Sequence, residues 1–182
     1  MMIPELNRHL YVCGVRDVPS ILRRDPKFWN VVSIYDPTDP APTFMGAKSV
    51  HRSVFYDVED SVWAADVGAK APQQEDVEHI FQFIHARPGE AMLIHCRAGV
   101  SRSTAISLGL IIQGHVQIGN MDCVTTAVEQ LLALRPQAVP NSLVLRHALG
   151  LFMTAGDAVA LMIQIYKHPL VLRNRANNPT RQ

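Results

Sequence analysis

The 182-residue sequence carries almost no net charge and very little cysteine. Seventeen Lys and Arg offset 16 Asp and Glu, leaving a formal charge of +1. The total therefore encodes no broad attraction to nucleic acid or to an anionic membrane surface, and neither is expected as a partner. An anionic substrate would have to be held by a local arrangement of donors. Three cysteines, at 13, 96 and 123, form no paired framework and no metal-type spacing. The eight histidines include no close ligand pair, so no metal site is expected. Long apolar runs are missing as well. The stretches 105–112 (AISLGLII) and 158–163 (AVALMI) are far too short to span a bilayer, and no membrane insertion is expected. The start, MMIPELNRHLYVCGV, lacks the basic stretch and long apolar run of a secretory signal. Sparse, odd cysteine without such a signal points to a reducing cytoplasm, where a thiol stays a thiol.

What is present reads as an α/β chain. Residues 9–15, 31–36 and 50–58 are rich in β-branched and aromatic side chains and are expected as strands. VPSILRRD, from 18, reads as a short helix ending before Pro26, and PTDPAPT at 37–43 as a turn-rich loop. From 75 onward, Val77, Ile80, Phe81 and Ile84 recur at helical spacing, until Arg87-Pro88-Gly89 stops the helix. AMLIHC, 91–96, is a short apolar run of the kind found in a fully buried strand. Further helices are expected from Ser101, along Met121, Val124, Val128 and Leu131 until Arg135-Pro136 ends it, from Asn141 as N-cap, and from Asp157 to about Lys167. Strands feeding helices suggest one domain over 1–170 with its sheet covered on both faces, followed by a polar tail at 171–182, frayed from Arg173.

The informative stretch is Ile94-His95-Cys96-Arg97-Ala98-Gly99-Val100-Ser101-Arg102-Ser103, where a buried strand ends and a helix begins. At such a junction the backbone N–H groups of residues 97–102 can turn inward around an anion, with the helix dipole adding to the attraction. Gly99 permits close backbone approach. A cysteine beside those donors and an arginine is placed to act as thiolate, the nucleophilic form. Arg102 offers a planar two-pronged donor matched to two phosphate oxygens. His95 can orient the surroundings of Cys96 through a ring N–H, and Ser103 can donate to the sulfur as it leaves a thiophosphate.

HCRAGVSRS is similar to the His-Cys-five-residues-Arg-Ser/Thr signature of the protein-tyrosine and dual-specificity phosphatases, in particular to compact bacterial members. The preceding strand, the following helix and RPQAVPN at 135–141 resemble the same group, over roughly residues 10 to 152. The resemblance implies a central, mostly parallel sheet of about four to five strands flanked by helices. It also implies a two-step reaction through phosphocysteine without metal or organic cofactor, with Cys96 as nucleophile, Arg102 gripping phosphate, and a carboxylic acid protonating the leaving oxygen. Asp57 stands at the matching place for that acid, with Glu59, Asp60 and Asp66 in the same loop as alternatives. Asn141, a helix cap by position, is implied to brace the phosphate loop. The implied partner is a phosphoprotein, chiefly at phosphotyrosine, with phosphoserine and phosphothreonine left open.

Other readings stand beside this one. A phosphoinositide or other non-protein phosphate ester would favour lysines inside the loop, and Arg97 is its only extra cation. A phosphate-binding module without turnover would have lost the cysteine, the arginine or the acid. A sulfurtransferase fits the His-Cys start and Ser-Arg-Ser end poorly. Cys13 and Cys123 read as packing residues, and Arg16, Arg23 and Arg24 as a solvated basic cluster.

Overall fold

The computed structural model of the chain describes residues 1–178. Among these, five strands form one sheet in the order β1-β2-β5-β3-β4. They are β1 (Met2–Ile3), β2 (Arg8–Gly14), β3 (Asn30–Tyr35), β4 (Ser49–Val54) and β5 (Met92–Cys96). All pairings are parallel except that of β1 with β2. The expected single-domain α/β architecture is therefore the observed one.

Position in the sheet follows from side-chain character. The central strands, NVVSIY and MLIHC, are buried almost throughout, as strands covered on both faces must be. The edges are a two-residue strand and the partly exposed, polar SVHRSV, neither of which offers a long apolar template for aggregation. Alternation along β5 divides the core in two. Met92, Ile94 and Cys96 join the larger apolar cluster, while Ala91 and Leu93 join the smaller one with Val18, Ile21, Leu22 and Trp29.

The smaller cluster lies under α1 (Val18–Arg24). On the other face stand α3 (Gln74–His85), α4 (Arg102–Gln117), α5 (Val124–Leu134), α6 (Ser142–Leu149) and α7 (Ala155–Lys167), with α2 (Ser61–Asp66) in the loop before α3. Helix α4 runs through the middle, and its residues 102–115 are all buried. It packs against β5, α5 and α6. At its crossing with α6 the approach is close enough that a Cβ on Gly109 would sit 2.7 Å from that of Ala148. Asn141 caps α6, its side chain accepting from the Val144 N–H, as expected from sequence. Thr154, not Asp157, starts α7: its hydroxyl accepts from the Asp157 N–H, so the helix begins at Ala155.

The helix expected from Met121 begins only at Val124, leaving Met121 exposed ahead of it, and three further elements depart from the sequence expectation. The strand expected over 50–58 stops at Val54, because Phe55–Asp57 turn toward the β5–α4 junction. Ser61–Asp66 is a helix, capped by the Asp60 side chain accepting from the Val62 and Trp63 N–H groups. Within the expected polar tail 171–182, Pro169–Ala176 forms a further helix, α8, so the fraying expected from Arg173 does not hold there. Its Val171 is buried and its Asn174 amide donates to the Pro136 and Ala138 carbonyls. Residues 179–182 of that stretch lie outside the described residues.

Candidate active site

Residues 96–102 lead from Cys96, the last residue of β5, to Arg102, the first residue of α4. Every loop carbonyl from 96 to 101 faces outward onto a donor. Val15 N–H serves Cys96 O (2.9 Å) and Arg97 O (3.3 Å). Arg135 serves Ala98 O (3.0 Å, from Nη2) and Gly99 O (2.9 Å, from Nε). Val139 N–H and the Thr104 hydroxyl serve Val100 O, at 2.8 and 2.6 Å. Thr104 Oγ1 also serves Ser101 O (2.8 Å), with the N–H groups of Ala105 and Asn141. With the carbonyls committed outward, the amides line the inside of the loop, the geometry of an oxyanion cradle at a helix N-terminus. Gly99 sits at φ +69°, and a Cβ there would collide with the Cys13 carbonyl and the Gly14 nitrogen. The position admits glycine alone.

Cys96, Arg102 and Ser103 are almost wholly buried. Cys96 Sγ lies 3.2 Å from Ser103 Oγ, within reach of the hydrogen bond expected of that pair. Among the described residues the hydrogen bonds of Arg102 run through Nη1, which donates to Asp36 Oδ1 at 2.6 Å and to the Phe55 carbonyl at 2.7 Å. Its Nε makes no hydrogen bond among the described residues, although Asp57 Oδ2 is 3.9 Å away. The anchored edge fixes the guanidinium plane, and the Nε edge is the one an oxyanion would take. Asp36 also lies 3.6 Å from Arg97 Nη1, so it faces both arginines of the loop.

Of the four acids weighed for proton transfer, the fold brings Asp57 to the loop. Its Oδ1 accepts from the Ser101 hydroxyl at 2.6 Å and from the Asn141 amide at 3.0 Å. Asn141 also donates to Val58 O (3.0 Å) and caps α6, so it joins the acid segment to the phosphate loop. Glu59 instead pairs with Arg175 (2.7 Å) and accepts from the Ser142 N–H (3.1 Å). Asp60 caps α2 and Asp66 ends it.

His95 is fully buried, its ring edge-on to Phe44 at 5.1 Å. Burial pushes its pKa down to about 4, with Arg102 acting in the same direction and the Cys96 backbone opposing. The ring is neutral at pH 7. Neither ring nitrogen reaches full hydrogen-bonding geometry, and the Cys96 backbone is the polar group that acts on the ring. Cys13 and Cys123 are buried free thiols, Cys13 on the opposite face of the sheet from Cys96. Burial and nearby Asp17 push the Cys13 thiol up to about 12. Beside the loop, on the Arg97 side, an open cleft of about 780 Å³ is lined by Arg16, Tyr35, Pro40, Pro42, His95 and Arg97, among others.

Two residues of this site are not singled out by sequence. Asp36 ends the strand VVSIYD, and a carboxylate at the C-terminal end of a central parallel strand is itself a pointer to the site. Arg135 reads locally as a helix terminator, and only the fold brings it under the loop. Among the described residues no group of three or more His, Cys, Asp or Glu is placed to hold a metal ion, and no helix is long and apolar enough to cross a membrane.

No family model and no curated protein matches the chain in sequence. Solved structures do match in fold. Human DUSP28 aligns with a TM-score of 0.56 at 19% identity, covering 85% of this chain and 94% of its own. The Cydia pomonella PTP-2 phosphatase aligns at 0.54 with 24% identity, covering 80% and 86%. OH1 from the Orf virus, a tyrosine phosphatase described as having triple substrate specificity, aligns at 0.54 with 19% identity, covering 81% and 84%. A five-stranded sheet ending in a carbonyl-out loop between a buried cysteine and a buried arginine thus belongs to a chain with the fold of the dual-specificity and tyrosine phosphatases.

Proposed function

We propose that the chain is a cysteine-dependent phosphatase that hydrolyses phosphotyrosine on proteins, with phosphoserine and phosphothreonine as further substrates to be tested. The observation that carries this reading is the conjunction at one loop: Cys96 Sγ beside Ser103, six outward carbonyls, and Arg102 anchored through Nη1 by Asp36 and Phe55, with no hydrogen bond at Nε among the described residues. In this reading the Cys96 thiolate attacks phosphorus in line with the ester oxygen. The P–S bond forms as the P–O bond breaks, while loop amides and Arg102 hold the equatorial oxygens. Asp57 gives its proton to the leaving oxygen, then removes one from the water that attacks the phosphocysteine. Cys96 leaves as thiolate, stabilised by the Ser103 hydroxyl.

Two alternatives weaken on the geometry. Arg97, the loop's extra cation, lies near Asp36, which reduces the charge available to a multiply phosphorylated lipid head group. A binding module without turnover has no use for an acid tied to Ser101 and Asn141 at the loop rim. The specificity described for OH1 supports testing more than one phosphoamino acid. The test is phosphate release from matched phosphotyrosine and phosphoserine peptides, in chelator, by wild type and Cys96→Ser. Release by wild type alone supports the reading, and the peptide ratio sets its specificity. Binding of phosphopeptide without release by either protein replaces it with the binding-module reading.

A further inference from the structure

The C-terminal helix touches the site at two removes. Arg175 on α8 pairs with Glu59 at 2.7 Å, and its guanidinium also lies over the Tyr166 ring of α7 at 5.5 Å. The other oxygen of Glu59 accepts from the Ser142 N–H at the start of α6. Glu59 is two residues from Asp57, so its two contacts fix the segment that presents Asp57 to Ser101. The same helical pair grips the segment beneath the phosphate loop. Asn174 donates to the Pro136 and Ala138 carbonyls, at 2.7 and 3.0 Å, and Tyr166 donates to the Pro140 carbonyl at 2.9 Å. That segment carries Arg135 and Val139, which hold the loop carbonyls outward, and it leads into Asn141, which holds Asp57.

The Arg175–Glu59 side chains are about one-third exposed. An ion pair so placed contributes little to global stability. Its consequence is local: it adds a tie from α8 to a loop that Ser101, Asn141 and Ser142 hold from the phosphate-loop side.

We propose that Arg175 is a positioning residue, which through Glu59 holds the Asp57 segment in register with the phosphate loop, so that α8 sets how well the acid reaches the leaving oxygen. This rests on the phosphatase reading above. A misplaced acid costs most when the leaving group is strongly basic and needs the proton. A weakly basic leaving group departs without it.

The experiment compares phenyl phosphate with p-nitrophenyl phosphate for wild type, Arg175→Ala, Arg175→Lys and Glu59→Gln, with melting temperatures recorded for each. The expected result is a fall in kcat/KM, which reports P–O cleavage and not the later hydrolysis, of about tenfold on phenyl phosphate for Arg175→Ala and Glu59→Gln, against less than about twofold on p-nitrophenyl phosphate. Arg175→Lys recovers most of the loss, and melting temperatures stay close to wild type. Equal losses on both substrates, or no loss on either, overturn the proposal. Should wild type hydrolyse neither ester, the phosphatase reading fails, and amide hydrogen exchange at residues 57–60 still decides the clamp. Faster exchange in Arg175→Ala supports it, and unchanged exchange refutes it.

Discussion

A carboxylate that accepts from Ser101 and Asn141 while facing a buried arginine is held at one point of the loop rim, and its replacement by an amide keeps that shape while removing the proton. Asp57→Asn should therefore leave phosphate binding nearly intact and lower kcat by about 10²- to 10⁴-fold on a phenyl ester. Unchanged turnover would remove Asp57 from the mechanism. His95 gives a separate pH prediction. Its folded pKa, about 4, lies below the ordinary value near 6.5, so the unfolded chain binds the proton more readily. The associated stability is present above about pH 6.5 and falls as the pH drops toward 4, by up to roughly 3 kcal/mol. Burial lowers His51 and His147 in the same direction, so the measurement is a difference. Urea unfolding of wild type should lose more stability between pH 7 and 4 than His95→Asn does, and parallel curves would show that His95 carries no such linkage. At this scale Cys96, Arg102, Ser103 and Asp57 could be picked out from the sequence, because a spaced signature and the loop after a strand name residue types and order. Asp36 and Arg135 were hidden, since their meaning lies in what the fold sets beside them.

The phosphate loop is the element whose shape most depends on its surroundings. Its carbonyls are turned out by Val15, Thr104, Arg135 and Val139, which come from different parts of the chain. Gly99→Ala should abolish turnover while leaving most of the secondary structure, because a positive φ costs an alanine about 1 kcal/mol or more and its Cβ has no room against β2. Near-normal kcat in that variant, with normal circular dichroism, would show that the loop tolerates another path. Arg135→Ala frees two carbonyls without touching substrate, and should weaken inhibition by inorganic phosphate or tungstate by roughly tenfold. Unaltered inhibition constants would place Arg135 outside the anion site's support. The elements legible in sequence were those with a period or a boundary, such as α3 between its acidic first turn and Arg87-Pro88-Gly89. Helix α2 was missed because its six residues are too short for periodicity to show. Helix α8 was missed because its polar face reads as a tail, and its anchoring depends on carbonyls near residue 137.

Across the whole molecule, α4 ties core to chemistry: the helix that begins at Arg102 is buried through His115, carries the main cluster's side chains and crosses α6 at Gly109. Gly109→Leu should separate the two helices and destabilise the protein by about 1–3 kcal/mol or more, read as a lower urea midpoint. A wild-type midpoint would mean that the crossing yields freely. The α/β class and the sheet's coverage on both faces were legible because apolar runs of strand length alternate with helical periods. The strand order and the short antiparallel β1 were not, since pairing partners leave no local trace. The phosphatase reading requires that Cys96 form a covalent bond to phosphorus. Its most direct test is mass spectrometry of Asp57→Asn quenched with acid during turnover of an aryl phosphate. Phosphate is expected on the peptide containing Cys96, and none in Cys96→Ser. Steady hydrolysis by wild type with no phosphorylated Cys96 peptide in the quenched variant, or with hydrolysis retained in Cys96→Ser, would contradict it.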